Sequence, residues 1–95
     1  MDRNNLLALA IQAWGEESQE LMAIEECAEL TKALCKISRG GSADDVIEEI
    51  ADVQIMLEQM KIIFGEENVR HAEEKKLQRL EFRLNRWLGQ PAEEK

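Results

Sequence analysis

The chain has 95 residues, 44% of them hydrophobic, 4% aromatic, and a formal net charge of −8. This length suits one domain, read over 1–95, with a modest core that oligomerisation would complete, while the acidic balance opposes attraction to nucleic-acid phosphates or anionic membranes. No apolar run approaches the roughly 20 residues of a membrane span, and no basic-then-apolar leader opens the chain, so it reads as cytoplasmic.

Leu, Ala, Glu, Ile and Lys dominate and there is one proline, a helix-forming composition that predicts an all-α fold. The first predicted helix is Met1 to Trp14, carrying Leu6, Leu7, Leu9, Ala10 and Ile11 and closed by Gly15 as a left-handed cap. Glu16, Glu17 and Ser18 lead into a second helix from about Gln19 to Ser38, which Arg39, Gly40 and Gly41 break. Ser42 with Asp45 three residues on has the form of an acid-variant capping box, opening a third helix that runs to Phe64. Gly65 interrupts it, and Glu66 to Asn68 bridge into a fourth helix that ends at Leu88 before Gly89 and Pro91. Ala92 to Lys95 are expected to fray. The expectation is a four-helix bundle.

Around the second helix, Ala23, Cys27, Leu30, Ala33, Leu34 and Ile37 form an apolar stripe. Glu26 falls inside it and Glu29 on its edge, three residues on, so their side chains project to one side about 5–6 Å apart. A buried carboxylate without a partner is costly, and Glu26 therefore calls for a cation. Leu21, Ile24, Ala28 and Cys35 form a second apolar group, expected to meet another neighbour. In the third helix, Val46, Ile50, Val53, Leu57, Met60 and Phe64 make the stripe, bordered by Glu49 beside Met56. Asp52 follows Glu49 at the same spacing of three.

Two such pairs facing each other would repel unless a divalent cation lay between them. All-oxygen ligands select hard Mg²⁺, with Mn²⁺ as an alternative, and Mg²⁺ keeps coordination positions open for phosphate oxygens. A single pair of this spacing is ordinarily a solvated helix face. Two pairs on apolar margins point to a metal site.

Glu25-Glu26-Cys27-Ala28-Glu29-Leu30, followed after a Gly-containing break by Glu48-Glu49-Ile50-Ala51-Asp52-Val53, resembles the E-x-x-E, spacer, E-x-x-D signature of the MazG-type all-α nucleoside triphosphate pyrophosphohydrolases. The resemblance implies Mg²⁺ ligands at Glu26, Glu29, Glu49 and Asp52. It also implies water attack on the α-phosphorus of a nucleoside triphosphate, and assembly as a homo-dimer or homo-tetramer. Glu25 or a ligand acid would orient the water. Lys76-Leu77-Gln78-Arg79 is similar to a basic stretch that contacts substrate phosphates, which implicates Lys76 and Arg79. On the residues alone, Lys76, Arg79, Arg83 and Arg86 make a basic row beside Leu77, Leu80, Leu84 and Trp87, ordinarily a solvated face. Members act on different nucleotides, so base and sugar stay open.

His71 is expected on an exposed helix surface, and the chain lacks the two E-x-x-H pairs that a di-iron bundle would want. Cys27 and Cys35, about 12 Å apart on one helix, cannot bridge within it and read as small core residues. Met22, Met56 and Met60 read as core fillers, and Trp14 and Trp87 as core or interface residues or nucleobase-stacking groups. The competing reading is a non-catalytic helical interaction or regulatory module with an acidic surface.

Overall fold

A computed structural model describes residues 1–89. Four helices and no strand occur among them: α1 (Arg3–Trp14), α2 (Glu16–Ile37), α3 (Ala43–Phe64) and α4 (Glu66–Trp87). None is long and apolar enough to cross a membrane. Pro91 and the tail expected to fray lie outside the described residues.

The helix ends are set by local chemistry. Asp2 caps α1, its carboxylate accepting from the Asn5 N–H at 2.8 Å and the Asn5 amide at 3.0 Å, so the helix starts at Arg3 rather than Met1. At Gly15 (φ +91°, ψ 151°) the N–H donates to the Ile11 carbonyl at 2.8 Å and the carbonyl accepts from Gln19 at 3.1 Å. One residue thus closes α1 and opens α2. Its ψ lies outside the left-handed helical well expected of this glycine, and only the positive φ is shared.

The second helix therefore starts at Glu16, not Gln19. The acids that read as a lead-in occupy its first turn, where negative charge complements the positive helix end. Glu66 and Glu67 stand in the same relation to α4, so Glu66 to Asn68 are helical and not a bridge. Ser42 caps α3 by accepting from Asp44 at 3.1 Å, one residue short of the Asp45 partner expected for a capping box.

The chain divides into two compact units, Met1–Phe64 and one beginning at Gly65. In the first, α2 and α3 pack as a helical hairpin and α1 touches both. Leu7, Ala23, Val53 and Met56 are its buried apolar residues, joined by Gln19 and Gln59. Arg3 ties α1 to α3 through Glu58, its Nε lying 3.0 and 2.9 Å from the two carboxylate oxygens.

The packed faces are rotated from the expected stripes. The covered positions include Gln19, Ala23, Glu26, Leu30 and Ala33 on α2, and Val46, Glu49, Val53, Met56, Gln59 and Met60 on α3. Steps of four and three hold one face of a straight helix, and on both helices that face includes a glutamate. Cys27 and Cys35 are exposed free thiols rather than core residues. Met22, Leu34, Ile37, Ile50, Leu57 and Phe64 are likewise exposed, because they fall on sides of α2 and α3 that these three helices leave uncovered.

In the second unit, α4 has no buried residue. Arg70 pairs along the helix with Glu67 and with Glu74, the latter at 3.1 Å. Leu77, Leu80, Leu84 and Trp87 form a bare apolar stripe, and the Arg86 guanidinium lies 5.9 Å from the Phe82 ring centre. His71 is exposed.

Candidate metal centre

The α2–α3 hairpin brings Glu26 together with Glu49 and Asp52. One carboxylate oxygen from each lies within 4.8 Å of the others. Glu26 and Glu49 are half-buried and Asp52 is exposed, so two acids enter from the packed faces and the third closes the group from the solvent side.

Crowding and partial burial shape the protonation of Glu26 and Glu49. Burial pushes the Glu26 carboxyl above its ordinary value, aided by the charges of Asp52 and Glu49, a hydrogen bond with Asp52 and the charge of Glu29. Glu49 is raised by burial first, then by Asp52, Glu29, Glu48 and Asp45. The Glu49 Oε2 atom is buried and has no hydrogen-bond partner. An acceptor cut off from water with no donor, beside two other carboxylates, is a place a cation fits. The donor set is oxygen only, which suits Mg²⁺ or Mn²⁺.

Glu29 stands outside this three-residue group. It lies next to Glu49 in the wall of an adjoining cavity of about 150 Å³, whose lining also includes Lys32, Lys36, Ser42 and Asp45. Lys32 and Lys36 were not singled out from sequence, and Ser42 and Asp45 were read only as a capping pair. A signal was there: Glu29, Lys32 and Lys36 continue the Glu26 side of α2 by steps of three and four, as Asp45 and Ser42 continue the Glu49 side of α3. Glu25 is exposed and outside the group. Lys76 and Arg79 are exposed on α4, where Arg79 shares an open hollow with Phe82, Arg83, Arg86 and Trp87.

No family profile, curated protein or solved structure matches this chain.

Proposed function

We propose that the protein is a Mg²⁺-dependent nucleoside triphosphate pyrophosphohydrolase, with Mn²⁺ as an alternative ion. The observation that carries this reading is the Glu26, Glu49 and Asp52 group with its orphaned Glu49 oxygen. The paired motif on α2 and α3, similar to that of the MazG-type enzymes, supports it. Glu26, Glu49 and Asp52 would hold the ion, with Glu29 at the margin. Bound there, Mg²⁺ supplies charge neutralisation for phosphate oxygens and lowers the pKa of a water.

In the reaction, water oxygen bonds to the α-phosphorus and the α–β bridging oxygen leaves with its electron pair as pyrophosphate. The water proton passes to a carboxylate. Glu25 or one of the ligand acids would orient that water, and Lys76 and Arg79 would offset the charge of the triphosphate in an otherwise acidic protein. The protein acts in the cytoplasm as one domain assembled into a homo-dimer or homo-tetramer, and the exposed Leu21, Ile24, Ile47 and Phe64 are the apolar surface that assembly would cover.

The test is a panel of ribo- and deoxyribonucleoside triphosphates with and without Mg²⁺, in which both products are identified. Monophosphate and pyrophosphate in equal amounts support the reading, and silence across the panel overturns it. The same exposed apolar residues favour a second reading, a non-catalytic interaction module with an acidic surface. Glu26→Gln separates the two: an enzyme loses activity, whereas a docking surface keeps its partner.

A further inference from the structure

Along the α2–α3 hairpin, one face changes its charge. On α2 the acids Glu26 and Glu29 give way, three and then four residues on, to Lys32 and Lys36. On α3 the acids run back from Asp52 through Glu49 and Asp45 to the helix start at Ser42. The cavity of about 150 Å³ opens at this end, with both lysines in its wall. A single water needs only about 10–15 Å³, so a multi-atom anion has room.

Among the described residues neither lysine has an ion-pair partner. The ion pairs among the described residues are Arg3 with Glu58 and Arg70 with Glu67 and Glu74. The N-terminus of α3 adds the positive end of a 22-residue helix to the same cavity. Gly41 fits the turn tightly: a Cβ there would lie 2.8 Å from the Lys36 carbonyl oxygen, so the missing side chain lets the start of α3 sit against the end of α2.

The same wall also holds Glu29, Asp45 and Glu49, which repel a bare anion. The anion this cavity accepts is therefore one that arrives with a divalent cation to screen the acids. From Glu29 to Lys36 the helix rises about 10 Å, the reach of a polyphosphate rather than of one phosphate group.

We propose that Lys32 and Lys36 form a subsite for the terminal diphosphate of a nucleoside triphosphate, the part that departs as pyrophosphate. This rests on the hydrolase reading above and deepens it: the lysines take up the charge that develops on the leaving oxygen, and the site selects triphosphates over monophosphates.

The experiment measures binding to the full chain by calorimetry in the presence of Mg²⁺. The ligands are inorganic pyrophosphate, a nucleoside monophosphate, and a triphosphate whose α–β bridge is an uncleavable imido group. Replacing both lysines by Met (Lys32→Met with Lys36→Met) is expected to weaken pyrophosphate and the imido triphosphate at least tenfold and to leave the monophosphate unchanged. The paired Lys→Arg variant, which keeps the charge and guards against a folding defect, is expected to bind all three as the wild type does.

A loss of less than tenfold for pyrophosphate, or no pyrophosphate binding by the wild type, overturns the subsite. So does an imido triphosphate indifferent to the change, which would make the cavity a site for free pyrophosphate only. The hydrolase reading fails separately: a silent nucleotide panel beside lysine-dependent binding overturns the hydrolase and keeps the diphosphate subsite, whereas hydrolysis beside lysine-independent binding overturns the subsite alone.

Discussion

Replacing Gly41 by Ala probes the joint that holds the two halves of the site together. The new Cβ would lie 2.8 Å from the carbonyl oxygen of Lys36 and 2.9 Å from its carbonyl carbon and Cβ. These atoms cannot swing aside as a side-chain tip does, so the turn must open, and overpacking of this kind costs about 1–3 kcal/mol. Against that, alanine stiffens the unfolded chain and returns about 0.4–1 kcal/mol. The clash wins, and a net loss of about 1–2 kcal/mol is expected. Gly40 is the control: its φ is +88° but a Cβ there meets nothing within 4 Å. Its alanine variant bears the left-handed penalty of about 1–2 kcal/mol less the same entropic return, a net cost of up to about 1.6 kcal/mol. Urea unfolding followed by far-UV circular dichroism reads both, and unchanged m-values show that the folded state carries the effect. A Gly41→Ala protein as stable as wild type would refute the reasoning.

Glu26→Gln should raise the melting temperature of the metal-free protein by relieving repulsion from Asp52 and Glu49, and a lower one would mean the group is not strained. The metal-free protein should also lose stability as pH rises from the ordinary carboxylate value through the raised values of Glu26 and Glu49, because the folded state binds those protons more tightly than the unfolded chain. Glu58 acts in the opposite sense: Arg3 holds its carboxyl below the ordinary value, and its contribution is lost as pH falls through that lowered value. Thermal melts across acid to neutral pH should show the decline in wild type and a smaller one in a Glu26→Gln, Glu49→Gln protein; equal slopes would contradict the assignment. Met56→Ala, at a side chain only 7% exposed, should cost about 2–5 kcal/mol in urea unfolding, and a neutral effect would displace Met56 from the core.

The four helices are legible because each breaks at glycine, at Gly15, Gly40 and Gly41, Gly65 and Gly89. The starts of α2 and α4 are harder to read, since glutamates after a glycine look like a linker and yet suit a helix's first turn. The acid pairs stand out because a charged residue interrupts an apolar spacing. Which apolar side packs is not legible: α2 carries Cys27, Leu34 and Ile37 as well as Ala23 and Leu30, and hydropathy alone does not say that the side with Gln19 and Glu26 faces α3. The same rotation puts Glu49 into the packed face and leaves Ile50 and Leu57 in the open. Lys32 and Lys36 look like ordinary surface lysines until the hairpin sets them across from Ser42 and Asp45.

The most direct test of the account is Mn²⁺ binding followed by electron paramagnetic resonance, with wild type, Glu26→Gln and Glu49→Gln titrated side by side. One set of sites in the wild type, weakened at least tenfold in each variant and competed by Mg²⁺, is the predicted result. Binding that is absent, or indifferent to both substitutions, would contradict the claim that Glu26, Glu49 and Asp52 hold a metal ion.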